Sequence, residues 1–123
     1  MEQNFLKIRK SKGKINGTLQ LLVLEEGDHL IMYLPALNLS AYGDDFKEAN
    51  EMLKEVLDDY FSALIQLSKE EIDAELHKLG WDKHKIYRRV VNLSDTTFED
   101  IKAQFGISNE TELKPLQKFS LSV

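Results

Sequence analysis

Cysteine is absent from this chain of 123 residues, which excludes disulfides, thiol nucleophiles and cysteine-ligated zinc. Proline and glycine are scarce, with two and six residues, while 42% of the chain is hydrophobic, so we expect one folded domain. Long apolar runs are also missing, since Leu21–Leu24 is far too short to span a bilayer. Residues 1–4 lack the basic and apolar regions of a secretory signal. We therefore predict a cytoplasmic protein with one domain over residues 1–123 and no membrane association.

The net charge of −5 is unevenly distributed. Residues 1–17 contain five bases and one acid, whereas residues 44–75 contain eleven acids and three bases. An acidic surface repels nucleic acid and attracts a basic partner. Runs of charge are also ordinary on solvated faces, so both interpretations stay open.

The first half of the chain has the pattern of an antiparallel β-meander. The predicted strands cover residues 5–11, 15–24, 29–34 and 37–42. Gly27-Asp28 is a hairpin signal between the second and third strands. Pro35 ends the third strand, because proline has no N–H for the ladder.

These strands are apolar on both faces. Leu19, Leu21 and Val23 alternate with Leu22 and Leu24, whereas a sheet with one wet face alternates apolar and polar residues. Something must therefore cover the second face. The candidates are the C-terminal half of the chain and a second copy of it, and we predict a homodimer.

Two helices are predicted after the meander. Asp45 is an N-cap with Glu48 three residues on, as in a capping box, and an apolar stripe then runs from Phe46 to Ile65. Ser68 with Glu71 begins a second, shorter helix. Together with the strands, these helices predict an α+β fold in which a β-meander packs under a long helix.

Residues 68–123 are predicted to form a C-terminal extension that packs on a core formed by residues 1–67. Within this extension, the pattern is less regular beyond Gly80. Trp81 is expected in the core, where the two halves meet. The predicted elements are a strand over Lys85–Val91, a helix containing Phe98, Ile101 and Phe105, a loop or helical turn closed by Pro115, and a final strand over Phe119–Val123.

Three segments of the first half carry a family resemblance, namely Glu25–Asp28, Tyr33–Leu37 and Gly43–Ala49. On these motifs, residues 18–65 resemble the HicB-like antitoxin fold, whose sheet is similar to part of a ribonuclease H core. Residues 76–81 are also similar to segments of longer members. About half of the chain is covered.

The match is closest at the start of the long helix. The family pattern has Gly-Asp-Thr and then Glu-Ala, and the matching residues are Gly43, Asp44, Glu48 and Ala49. Asp45 replaces the threonine and can cap equally well. Asn38 stands at an expected glycine and Leu39 at a frequent cysteine, but asparagine tolerates the left-handed backbone that the turn needs.

The resemblance implies a binding function rather than catalysis. HicB-like proteins usually cover a small RNA-cleaving toxin, and many also repress their own operon through a C-terminal DNA-binding module. The expected partner is therefore a small basic toxin. We predict that it contacts the sheet edge and an acidic helix face formed by Glu51, Glu55, Asp58 and Asp59.

Two segments are candidates for nucleic-acid binding. Residues 96–114 have the spacing of a degenerate helix-turn-helix, although Glu110 and Glu112 would repel phosphates. A transcriptional regulator is therefore the alternative function, and an orphan HicB-like scaffold is another. The second candidate is the basic run Lys7, Arg9, Lys10, Lys12 and Lys14. These bases either contact phosphates or protect an edge strand from aggregation.

No catalytic motif is visible in the chain. His29, His77 and His84 lack the spacing of metal ligands. The pairs Asp44-Asp45 and Asp58-Asp59 are explained as helix cap and helix surface rather than as acid catalysts. We therefore predict a protein that is not an enzyme, with no cofactor and no metal.

Overall fold

The computed structural model describes residues 4–85, 87–91 and 111–122. In this part of the chain an antiparallel sheet and two α-helices form the predicted α+β fold. The elements are β1 (Phe5–Arg9), a short 3-10 helix (Lys10–Lys12), β2 (Lys14–Glu26), β3 (His29–Leu34), β4 (Leu39–Gly43), α1 (Phe46–Ile65), α2 (Lys69–Lys78), β5 (Trp81–Lys85), β6 (Arg88–Val91) and β7 (Thr111–Ser122). The prediction of a meander under a long helix is confirmed.

The sheet has the strand order β4-β3-β2-β1-β6-β5, and β7 also pairs with β2. All of these pairings are antiparallel. The long strand β2 pairs with β1 through its first residues, 14–18, and with β3 through its last residues, 22–26. Strand β1 lies between β2 and β6. Strand β4 ends the order, and its outer edge is unpaired among the described strands.

Two tight turns use left-handed backbone where the sequence predicts it. Gly27 has a φ of 59° at the first central position of the β2–β3 hairpin, as in a type II′ turn. Asn38 has a φ of 53°, and its side-chain oxygen accepts a hydrogen bond from the Tyr33 hydroxyl at 2.9 Å. The prediction that Asn38 sustains the turn in place of glycine is confirmed.

Helix α1 begins at its predicted cap. The Asp45 carboxylate accepts a hydrogen bond from the Glu48 N–H at 2.8 Å. The Glu48 carboxylate accepts from the Asp44 N–H at 3.1 Å, so the reciprocal bond falls one residue earlier than in the predicted capping box. Helix α2 has the complete capping box between Ser68 and Glu71.

The apolar residues of the sheet pack on both of its faces. The face under α1 and α2 holds most of the buried core, including Leu53, Phe61 and Leu76 from the helices. The second face holds a smaller cluster, made of Leu22, Leu24, Ile31 and Tyr33. One chain alone buries all four to 5% exposure or less. A second copy is therefore not needed to cover these four side chains.

Several predictions for the C-terminal half are corrected. The single strand over 85–91 is wrong, because β5 and β6 form an antiparallel hairpin there. Pro115 lies inside β7 rather than closing a helical turn. Leu19 pairs with Gln117 and Leu21 with Lys114, so Pro115 sits at a bulge, where a missing N–H is tolerated. The predicted final strand is confirmed as part of β7.

Other predicted bounds also change. Strand β1 ends at Arg9 rather than at residue 11, because residues 10–12 turn into a 3-10 helix. The helix predicted around Phe98, Ile101 and Phe105 lies outside the described residues, as does most of the degenerate helix-turn-helix. Residues 111–114 of that motif are strand, so its second helix cannot extend to residue 114.

The C-terminal extension packs on the first half of the chain. Strand β6 pairs with β1, which joins the extension to the sheet. Trp81 is 2% exposed, and its ring N–H donates to the Ala36 carbonyl at 2.7 Å. Its predicted place in the core is therefore confirmed.

Candidate functional site

The acidic residues predicted to bind a partner lie together on the exposed side of α1. Glu51, Glu55 and Asp58 follow the i, i+4, i+7 spacing of one helix face, and Asp59 adjoins them. All four side chains are exposed. None forms a salt bridge with another described residue. We call these four residues the acidic face.

Met52 borders this acidic face, whereas Tyr42 of β4 pairs with Ile31 and so points to the opposite face of the sheet. Met52 and Phe46 of α1 are 43% and 49% exposed, and Tyr42 of β4 is 56% exposed. The periodicity predicts Met52 and Phe46 in the buried stripe of the helix, and this is wrong. The buried stripe of α1 is narrower than predicted and consists of Ala49, Leu53, Leu57, Phe61, Leu64 and Ile65.

The basic run near the start of the chain divides between two places. Lys7, Arg9 and Lys14 are exposed on one face of the sheet, because Arg9 pairs directly with Lys14 and Lys7 lies two residues before Arg9. Leu6 and Ile8, which alternate with Lys7 and Arg9 along β1, point into the core. Three of the five predicted residues therefore share a surface.

The other two basic residues lie elsewhere. The Lys10 ammonium donates to the Ile65 carbonyl at 3.0 Å, where it satisfies the last turn of α1 and complements the negative end of the helix dipole. Lys12 is exposed in the 3-10 helix. Lys10 thus has a structural role that the sequence does not indicate.

Aromatic rings and a further arginine join the three exposed bases. Arg88 of β6 pairs with Lys7, and its guanidinium lies 4.6 Å from the centre of the Phe5 ring. The Arg9 guanidinium lies 5.6 Å from the centre of the Tyr87 ring. Tyr87 is 50% exposed. We call this surface the basic–aromatic face; it comprises Phe5, Lys7, Arg9, Lys14, Tyr87 and Arg88.

The structure decides against one of the two explanations for these bases. Protection of an edge strand requires a free edge. Strand β1 has β2 on one side and β6 on the other, so it has no edge to protect. The basic residues of β1 therefore lie on the face of an interior strand.

A pocket of about 340 Å³ opens between α2 and the β5–β6 hairpin, lined in part by Trp81 and Arg89. The buried Arg89 donates to the Asp73 carboxylate at 2.6 Å. Its Nε and Nη1 have no hydrogen-bond partner among the described residues and are closed off from solvent. Because those donors do not reach the opening, the pair is better suited to joining α2 to the sheet than to holding a ligand.

Two titratable side chains of the helices have displaced pKa values. Burial raises the pKa of Tyr60 to about 12, and the nearby Glu75 carboxylate adds to this. Hydrogen bonds from the Ser68 backbone and side chain lower the pKa of Glu71. Both groups lie outside the acidic and basic–aromatic faces, so they bear on stability.

Comparison of the chain with protein-family models, with curated proteins and with solved structures found no match. The resemblance to HicB-like antitoxins therefore stays a prediction from the sequence motifs. Among the described residues, no helix combines the length and the hydrophobicity that crossing a bilayer requires.

Proposed function

We propose that the protein is a non-enzymatic binding module that neutralises a small basic protein in the cytoplasm, as the HicB-like resemblance implies. The observation that carries the proposal is the acidic face, four exposed carboxylates with no ion-pair partner among the described residues. Such a surface steers a basic partner and fixes its orientation.

The surroundings of the acidic face supply the apolar part of an interface. Met52 adjoins the carboxylates on α1, and Phe46 is exposed in the first turn of the same helix. Protein interfaces combine a desolvated apolar centre, rich in aromatic residues and methionine, with a polar rim. The outer edge of β4 is unpaired among the described strands, so an extended segment of the partner can add to the sheet there.

The experiment is co-expression with the product of the adjacent gene, followed by size-exclusion chromatography and titration calorimetry. The expected result is a stable complex with a small basic protein that is toxic when expressed alone. A variant carrying Glu51→Lys, Glu55→Lys and Asp58→Lys should bind at least about tenfold more weakly.

The matched control changes the charge equally at exposed acids elsewhere, with Glu25→Lys, Asp28→Lys and Asp82→Lys. This control should keep the affinity of the wild-type chain. If both variants bind as the wild-type chain does, the acidic face is not the interface. If no small basic neighbour binds, the antitoxin function is wrong.

A further inference from the structure

We propose that the basic–aromatic face binds single-stranded nucleic acid, with phosphates against Lys7, Arg9 and Lys14 and unpaired bases stacked on Tyr87. This inference goes beyond the proposed antitoxin function and does not depend on it. It uses a surface on the opposite side of the sheet from the acidic face, because Leu6 and Ile8, which alternate with these bases along β1, belong to the core under the helices.

The pairing of the strands places like charges directly opposite each other. Arg9 pairs with Lys14, and Lys7 pairs with Arg88. Like charges at opposed positions of an antiparallel pair destabilise it. Lys7, Arg9 and Lys14 form no salt bridge with any described residue. The cation–π contacts of Arg9 with Tyr87 and of Arg88 with Phe5 hold two of these guanidinium groups in place, and a polyanion lying across the strands would reduce the repulsion between Arg9 and Lys14.

The aromatic rings decide which polyanion fits. Proteins that bind single strands combine a basic track for the backbone with rings on which successive bases stack. Tyr87 is half exposed beside Arg9, and Phe5 is partly exposed beside Arg88. In a duplex the bases are already stacked on each other and cannot reach such rings. A single strand therefore uses both parts of the face.

The sheet provides a rigid platform for this contact. Strand β1 is held on both sides, by β2 and by β6. Asp82, which is exposed on β5, also lies on this side of the sheet, opposite Val90. It is separated from β1 by strand β6. The Asp82 carboxylate therefore lies two strand spacings, about 10 Å, from β1, beside the four basic side chains rather than among them.

The test measures fluorescence anisotropy of labelled oligonucleotides of about 12 nucleotides, as RNA, as DNA and as a DNA duplex, titrated with the full chain at about 50 mM salt. Both single strands should bind, and the duplex should bind at least about tenfold more weakly. A preference for RNA over DNA, or none, supports the proposal equally, since no step above uses the sugar.

Two variants test the two parts of the face. Lys7→Glu, Arg9→Glu and Lys14→Glu together should lower the slope of log affinity against log salt by about 2, because each contact with a single strand contributes about 0.7. The control with Lys47→Glu, Lys54→Glu and Lys69→Glu has the same change in net charge at exposed helix positions and should keep the slope.

Tyr87→Ala should weaken binding about tenfold or more, while Tyr87→Phe keeps the ring and the affinity. Thermal unfolding of each variant shows that it is folded. The proposal is overturned if the wild-type chain does not bind single strands, if the duplex binds equally well, or if the two triple variants lose affinity equally. It is also overturned if poly-glutamate displaces the RNA at equal charge concentration, since an acidic protein would then satisfy the face.

Discussion

Tyr60 illustrates how a single side chain links burial to pH. Its hydroxyl is buried without a hydrogen-bond partner among the described residues, and burial raises its pKa from 10.0 to about 12. Because the folded state holds this proton more tightly, the unfolded state ionises first as the pH rises. Tyr60 therefore leaves the stability unchanged below pH 10.0 and lowers it progressively as the pH rises to about 12.

We expect Tyr60→Phe to remove this part of the alkaline loss of stability. The free energy of unfolding, measured by urea titration at about pH 8 and about pH 11, should fall less in the variant than in the wild-type chain. At the lower pH the variant should be as stable or slightly more stable, since it loses an unpaired hydroxyl. Tyr42→Phe, at a position 56% exposed, should behave as the wild-type chain. Equal alkaline losses in Tyr60→Phe and the wild-type chain would contradict the prediction.

The buried Arg89 makes a second prediction at the residue scale. Its side chain is only 6% exposed, and Asp73 is its partner at 2.6 Å. Asp73→Ala leaves a buried charge uncompensated and should cost about 3–5 kcal/mol in the free energy of unfolding. Adding Arg89→Met to that variant should recover most of the loss, because an apolar side chain of similar volume needs no partner.

Lys83 provides the internal control for that pair. Its ammonium lies 3.8 Å from the same Asp73 carboxylate, but it is 51% exposed. Lys83→Ala should therefore change the free energy of unfolding by less than about 1 kcal/mol. If the double variant at Asp73 and Arg89 is as unstable as Asp73→Ala alone, the buried guanidinium is not the cause of the loss.

The residues of the candidate sites could be predicted only in part. The acidic face follows from helical spacing alone, so Glu51, Glu55 and Asp58 were predictable as a group. Tyr87 could not be predicted as part of the basic–aromatic face, because it lies 78 residues after Arg9 in the chain. The pairing of β6 with β1 brings it to the basic side chains. Arg89 looks like a surface charge in the sequence, since nothing in a short strand indicates the burial that α2 imposes on it.

At the scale of elements, the contact of α1 with β4 depends on Gly43. A Cβ built on this residue would lie 2.3 Å from the Ala49 nitrogen, and backbone atoms there cannot move aside cheaply. Gly43→Ala should therefore push the first turn of α1 away from the sheet and cost about 2 kcal/mol or more. The measurement is the midpoint of chemical or thermal unfolding.

Gly27 is the matched control for Gly43. A Cβ at Gly27 meets nothing within 4 Å, although its φ of 59° carries a cost of about 1–2 kcal/mol for alanine. Gly27→Asn should reduce that cost, because asparagine tolerates left-handed backbone. Close packing at Gly43 allows no such rescue, so Gly43→Asn should be at least as damaging as Gly43→Ala. A stable Gly43→Asn variant would show that α1 is free to shift.

The helices and strands could be predicted where the sequence carries local start and stop signals, such as helix caps and turn residues. Both helices were predictable because Asp45 and Ser68 are caps and the apolar spacing follows. The β5–β6 hairpin was missed because Ile86-Tyr87, between its strands, carries no turn signal. Strand β7 was predicted too short, since Pro115 is typical of a strand end, and only the bulge opposite β2 accommodates it.

At the scale of the whole molecule, the uneven charge along the chain becomes an uneven charge across the sheet. The acidic face lies on α1, which packs on the face of the sheet that carries Leu6 and Ile8. The basic–aromatic face lies on the other side. The sequence itself shows a basic start and an acidic middle. Their placement on opposite sides of the sheet, however, depends on which face of β1 the helix α1 covers.

This separation predicts how the two faces influence each other. The two faces are separated by the sheet and by a helix about 10–12 Å across, so they lie farther apart than the Debye length of about 8 Å at 0.15 M salt but within the 30 Å at 0.01 M. The variant with Glu51→Lys, Glu55→Lys and Asp58→Lys should therefore bind single-stranded RNA with nearly wild-type affinity at about 0.15 M salt, and clearly more tightly at about 0.01 M. Lys7→Glu, Arg9→Glu and Lys14→Glu should weaken RNA binding at both concentrations, because direct phosphate contacts are lost. An acidic-face variant that gains the same affinity at both salt concentrations would mean that its side chains reach the bound strand directly, and the two faces would then form one continuous surface rather than two.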